Sequence, residues 1–289
     1  MDGRCADHQK QARRTQADHL HQMTGIQNSA RIVSLVPSLT ETLCHFGLID
    51  SLIGCTSFCV EPRQLLSRVP SVGGTKDPRI EDILALKPTH IVVNKEENTT
   101  KFIAQLNGLK ATHGFDVIET FVAIPEDNFN LVSLFGDVFN FRAEAQEWIH
   151  RQKVALTKLK QTAREFRHFK FTYFIWMNPW MVAGDQTYIS STLELAGGIN
   201  TIKTSKEMSE RYPAVDASEE RIAESDVLLF SSEPFPFRQR HLDEFRLQSK
   251  TNQPMLKVDG QALSWYGSRF EQTLQYLGGL HEEIQKSLA

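Results

Sequence analysis

Five aromatic residues stand at or just after segments that read as strands: Phe58, Trp176, Trp180, Trp265 and Tyr266. Rings at such places offer broad apolar faces, while indole N–H and phenol O–H groups fix orientation. Together they suit a flat, largely apolar small molecule. The alternative for each ring is a place in the core. Two cations, Lys76 and Arg269, fall near the same stretches, where they either meet anionic groups of a ligand or stand in solvent. Pro37 and Ser38, which close a buried-looking strand, and Thr75 after Val72-Gly-Gly complete the loop residues expected to line a cleft.

Other chemistries lack their residues. His45, His90 and His113 have no His-x-His, Glu-x-x-His or paired-carboxylate companions, so no metal site built from side chains is expected. The four cysteines, Cys5, Cys44, Cys55 and Cys59, read as reduced thiols, because Cys55-x3-Cys59 has no second pair at zinc-site spacing. The sequence contains no Walker A motif, no G-x-S-x-G, and no G-x-G-x-x-G after the first strand. Cys59 is a candidate nucleophile, but no histidine partner can be named for it.

The elements that position these residues alternate. The strand of residues 31–36 runs into Pro37-Ser-Leu-Thr-Glu41, where Ser38 and Glu41 have capping-box spacing, and the helix that follows stops at Gly47. A helix N-terminus thus sits at the carboxyl end of a strand, the edge where ligands gather in open α/β sheets. Its free N–H groups would suit a phosphate or carboxylate, except that Ser38 is expected to cap them. A helix over 79–86 feeds a strand over 90–94, a helix over 99–109 precedes a strand over 115–120, and Pro125 opens another helix. Residues 142–167 carry the longest helical pattern, with Ala145, Trp148, Ile149, Leu156, Leu159, Ala163 and Phe166 mostly on one stripe. Its length would be roughly 37 Å. Beyond it come strands over 170–176, 180–183, 226–230 and 255–258, and helices over 187–196, 218–223 and 269–287. This alternation predicts an α/β fold with mostly parallel sheets flanked by helices, in two Rossmann-like lobes.

The bulk numbers agree with two lobes. A chain of 289 residues is long for a single core, and 40% apolar with 23% charged residues is ordinary for a globular protein. A net charge of −3 gives no basic surface for nucleic acid, and no apolar run approaches the ~20 residues of a membrane helix. Residues 1–29 are polar and charged, without an apolar signal region or lipobox cysteine. They read as a disordered leader, with Met23 as an alternative start. The expected location is therefore the cytoplasm, with the periplasm as the alternative.

Several motifs together resemble one family. Ser34-Leu-Val-Pro-Ser-Leu-Thr-Glu41, Gly54-x-Thr56, Val72-Gly-Gly-Thr75, Ile83-Leu-Ala-Leu-Lys-Pro88 and Leu195-Ala-Gly-Gly-x-Asn200 look like the cobalamin and iron-complex solute-binding proteins of ABC importers. The resemblance covers about residues 31–280. It implies an N-terminal lobe of residues 30–141, an inter-lobe backbone helix of residues 142–167 and a C-terminal lobe of residues 168–289. A ligand is then clamped in the crevice between rigid lobes, without catalysis. The implied ligand is a corrinoid such as cobalamin, or an iron chelate (haem or siderophore), with no covalent cofactor, and a monomer is expected. The resemblance aligns Phe58 with an aromatic that packs on the ligand, and Trp265 with a loop near it. It also implies docking of Glu81 and Glu219, one per lobe, onto an ABC permease and ATPase complex, although a helix dipole alone accounts for a carboxylate in a first turn. The missing export signal leaves room for a cytosolic branch of the family. The rival reading is a cytosolic α/β transferase or hydrolase acting on a nucleotide or phosphorylated small molecule.

Overall fold

The computed structural model describes residues 30–65, 67–205, 207 and 210–289. The leader expected over residues 1–29, with Cys5, lies outside the described residues. The chain divides after Glu119 into two compact units.

The first unit is built on a four-stranded sheet of order β2-β1-β3-β4, with β1 Ile32–Ser34, β2 Leu52–Cys55, β3 His90–Asn94 and β4 Asp116–Thr120. β1 pairs in parallel with both β2 and β3, in the registers Ser34 to Cys55 and Val33 to Ile91. Its helices are α1 Pro37–His45, α2 Ile80–Ala85 and α3 Thr100–His113. Val33, Ile91 and Val93 pack with Ile83, Phe102, Ile103 and Leu106 in one buried cluster, which joins the sheet to α2 and α3. α3 begins where the Thr99 hydroxyl accepts the Phe102 N–H at 3.2 Å, and it ends at Gly114 in the left-handed region.

The start of α1 differs from the sequence expectation. Val36, not Ser38, is the N-cap residue, and no side-chain oxygen caps the helix. The fixed φ of Pro37 suits the first helical position, so the N-cap falls two residues early and Ser38 lies inside the helix, buried. The capping box of Ser38 and Glu41 is therefore not formed as expected.

The second unit opens with two helices, α4 Asp127–Val138 and α5 Arg142–Thr162. Its sheet has β5 Phe169–Trp176 flanked in parallel by β8 Val227–Ser231, which pairs in parallel with β9 Met255–Val258. The other edge of β5 is shared by β7 Gly198–Asn200, parallel along residues 169–171, and by β6 Met181–Ala183, antiparallel along residues 173–176. Side chains alternate across β5. Phe169, Phe171 and Tyr173 enter one core cluster, while Phe174 enters another with Trp180, Phe230, Phe237 and Phe245. The remaining helices are α6 Tyr188–Glu194, α7 Glu220–Ala223, α8 Gln239–Ser249, α9 Gly260–Ser264 and α10 Phe270–Ser287.

The long helix is shorter than its sequence pattern. α5 buries Ala145, Trp148, Ile149 and Leu156, as the stripe predicts, and packs against α4 and α10. It ends at Thr162, and a 3₁₀ turn then carries the chain to Glu165. Phe166 has already left the helix, in extended backbone, and stacks on His281 with ring centroids 3.8 Å apart. No helix among the described residues is long and apolar enough to cross a membrane.

Candidate functional site

Parallel strands collect their following loops at one edge, and the chemistry-bearing residues of each unit gather there. In the first unit this edge carries the turns after β1, β2 and β3. Asn98, which the sequence reading missed, fastens them together. Its side-chain amide donates to Leu35 O (3.3 Å) and Thr75 O (2.8 Å), and its Oδ1 accepts the Asn94 N–H at 2.9 Å. Ser57 N–H donates to Gly73 O at 2.9 Å, which draws the loop after β2 onto the glycine turn. A methyl group on Gly74 would lie 2.2 Å from Asp77 Oδ1 and 3.4 Å from the Phe58 ring, so it would displace the Asp77 carboxylate and touch Phe58. On this foundation Phe58 is left 58% exposed. Thr75 is half-buried beside it, and Lys76 reaches back to donate to Glu96 O at 2.6 Å. Pro37 is half-buried and Ser38 buried.

Cys59 sits beneath the same edge, with its sulfur 3.2 Å from the hydroxyls of both Thr40 and Thr56. The thiol of Cys55, with help from Thr40 and Thr56, stabilises a thiolate at Cys59 and holds its pKa down at about 7. Burial pushes Cys44 up to about 12. Glu97 is also held above the usual carboxylate range by burial, although Lys76 pulls it down. No group of three or more His, Cys, Asp or Glu side chains among the described residues is arranged to hold a metal ion.

The second unit separates its four predicted aromatics. Trp176, the last residue of β5, is 41% exposed and meets Phe235 edge to face at 5.6 Å. Trp180 does not lie at the surface. The chain turns back at Asn178–Pro179 into β6, so Trp180 (8% exposed) stacks on Phe237 and sets its edge against Phe174 and Phe245. Its indole N–H donates to Gln248 Oε1 at 2.7 Å, which leaves no ring face for a ligand. Trp265 and Tyr266 are buried as well. Trp265 donates its indole N–H to Glu233 Oε1 and carries the Arg269 guanidinium over its ring at 4.8 Å, and Tyr266 packs edge to face on Tyr188. Glu233 stands two residues past β8, where no sequence signal singled it out. Burial raises its pKa, while the hydrogen bonds from Trp265, Gln261 and Ser264 oppose that shift.

An open groove of about 510 Å³ lies elsewhere on this unit, lined by Ile124, Lys160, Arg164, His168 and Glu194. It sits by the amino-terminal start of β5, opposite the edge with the exposed aromatics, and Lys160 is already paired with Glu126. We place the site at the carboxyl edge, where the sheet topology collects polar loops and open rings.

Residues 32–253 match the periplasmic binding protein family. This chain belongs to that family. A similar curated protein is the high-affinity heme uptake system protein IsdE of Staphylococcus aureus, 29% identical over 178 residues. That match spans 60% of this chain and 58% of the relative's own length. Among solved structures, the periplasmic vitamin B12-binding protein BtuF of Vibrio cholerae has a TM-score of 0.74 at 20% identity, covering 90% of this chain and 99% of that one. The periplasmic heme-binding protein RhuT of Roseiflexus sp. RS-1 has a TM-score of 0.75 at 18% identity, covering 90% and 100%. At such identities the structures establish a shared fold, that of two-lobed α/β solute-binding proteins. The family expectation from the sequence motifs is thus met.

The location needs correction. The polar leader pointed to the cytoplasm, but the family and its structural neighbours are periplasmic binding proteins, which points to an exported protein. The cytosolic branch falls with it. The family is one of solute-binding proteins.

Proposed function

We propose that this protein binds a flat metal-chelate macrocycle, a corrinoid in the first place, and delivers it to an ABC permease. The observation that carries this reading is that the carboxyl edges of the two sheets leave large rings open, Phe58 after β2 and Trp176 at the end of β5, while Phe121, exposed after β4, already carries the Arg211 guanidinium over its ring. Aromatic rings held on rigid loops are suited to cover the apolar faces of a macrocycle. In the same reading Pro37, Thr75 and Lys76 border Phe58, and Trp265 positions its neighbours.

The choice of a corrinoid over haem rests on donors. Haem iron in proteins is held by His, Cys, Met or Tyr. Among the described residues of these edge loops there is no histidine, and Cys59, Met177 and Tyr266 are buried. A corrinoid brings its own cobalt ligands and needs only shape and hydrogen bonds. Docking would use Glu81, exposed in the first turn of α2, and the start of α7. There Glu219 already pairs with Arg221 and accepts the Asp216 N–H at 3.0 Å, which leaves its neighbour Glu220 the freer carboxylate.

The test is titration of the full chain with cyanocobalamin, haem and a ferric hydroxamate, followed by absorbance and calorimetry. Saturable one-to-one binding of cyanocobalamin is expected. No heat and no spectral change with any of the three would end this reading.

A further inference from the structure

Glu233 is held in place with unusual care for a loop carboxylate. Ser231 Oγ accepts the Glu233 N–H at 3.3 Å and donates to Glu233 O, and Tyr173 OH donates to the same serine at 3.0 Å. Gly260, at the start of α9, passes so close that an added methyl group would lie 2.7 Å from Glu233 Cγ and 2.4 Å from Ser231 Oγ. Two side chains of one segment, Trp265 and Gln261, then donate to the carboxylate, while the nearby Ser264 hydroxyl gives its proton to Gly260 O at 2.7 Å. Phe235, two residues after Glu233, meets the open ring of Trp176 edge to face and donates its N–H to Ile175 O at 3.3 Å. An acceptor is thus fixed next to an apolar platform, half-buried and still reachable from solvent.

We propose that Glu233 selects ligands whose rim carries primary amides over ligands whose rim carries carboxylates. This inference rests on the macrocycle reading and deepens it. An ionised carboxylate only accepts, with about four lone-pair sites. Two donors of the protein leave lone pairs to spare, and an amide N–H would fill one in a charge-assisted bond. A carboxylate brought to the same place meets a like charge with little water between, which disfavours that partner. Arg269, over the ring of Trp265, is the neighbouring cation that favours the opposite outcome.

Two corrinoids with the same macrocycle separate these cases: cobinamide, with amides around its rim, and cobyrinic acid, with carboxylates. The full wild-type chain is expected to bind cobinamide at least about tenfold more tightly, a difference near 1.4 kcal/mol. Glu233→Gln still accepts the Trp265 N–H but carries no charge, and it should reduce that ratio severalfold. The comparison is made at low and high salt, because repulsion from the protein's overall charge is screened and a contact clash is not. Equal binding of both by the wild type, or a preference for cobyrinic acid, overturns the proposal even if the variant does not fold. An unchanged ratio in a folded Glu233→Gln overturns it too. If neither corrinoid binds, the macrocycle reading fails with it, whereas tight cobinamide binding without discrimination sinks only the role of Glu233.

Discussion

Replacing Trp176 by alanine should cost ligand affinity and almost no stability. A tryptophan offers up to about 250 Å² of surface, so a ring left 41% exposed presents roughly 100 Å² for a ligand to cover. At about 25 cal/mol per Å² that contact contributes ~2.5 kcal/mol. Alanine would still cover part of it, so the loss is about 2 kcal/mol, or roughly thirtyfold in Kd. Stability should change by less than about 1 kcal/mol, because the lost ring packs mainly on Phe235 at the surface. Trp180→Ala is the internal control, four residues away. Its ring is enclosed by Phe174, Phe237 and Phe245, so its loss should cost ~3–5 kcal/mol of folding stability. Calorimetric titration with cyanocobalamin and urea unfolding, run on both variants, read the two effects separately. Wild-type Kd in a folded Trp176→Ala protein would refute the assignment of that ring to the ligand.

Three further outcomes follow from the packing. Gly260→Ala should displace Glu233 and weaken binding of amide-rimmed corrinoids more than Trp176-dependent packing, as read by the cobinamide to cobyrinic acid ratio. Asn128 is buried, donates to Pro125 O (2.7 Å) and Tyr188 OH (3.1 Å), and accepts the Gly267 N–H. Asn128→Ala leaves that buried N–H without its acceptor and should cost ~1–3 kcal/mol in chemical unfolding. Ultraviolet absorbance of thiolate should show Cys59 ionising below an ordinary thiol, and Cys55→Ala should move that midpoint up, since the Cys55 thiol is the largest stabiliser of the Cys59 thiolate and burial opposes it. Because the folded state lowers this pKa, its contribution to stability grows as pH rises from about 7 to 9 and is lost as pH falls through 7.

The order of strands and helices was legible because each hydrophobic run is short and followed by a turn signal. What the sequence could not supply was direction. Trp176 and Trp180 lie within one turn of each other, yet the reversal at Asn178–Pro179 sends one ring to solvent and the other to the core. Ser38 looked like a cap because its spacing to Glu41 fits, but Pro37 occupies the first helical position and shifts the cap by two, to Val36. Helix α8 was not foreseen, since its polar sequence shows only His241, Leu242 and Phe245 buried. The bracing roles of Asn98 and Asn128 carry no local signal, because Leu35 and Gly267, the most distant partners of each, lie 63 and 139 residues away. The cytoplasmic placement failed for a different reason, because it was drawn from the composition of residues 1–29 rather than from the folded chain.

Hydroxyl-radical footprinting of the full chain, with and without saturating cyanocobalamin, tests the central claim most directly, because it reads the exposure of individual rings. Phe58 and Trp176 should both be oxidised in the free protein and both protected when the corrinoid is bound, while Trp148 and Trp180 stay protected throughout. Binding that leaves Phe58 and Trp176 as reactive as before would contradict it.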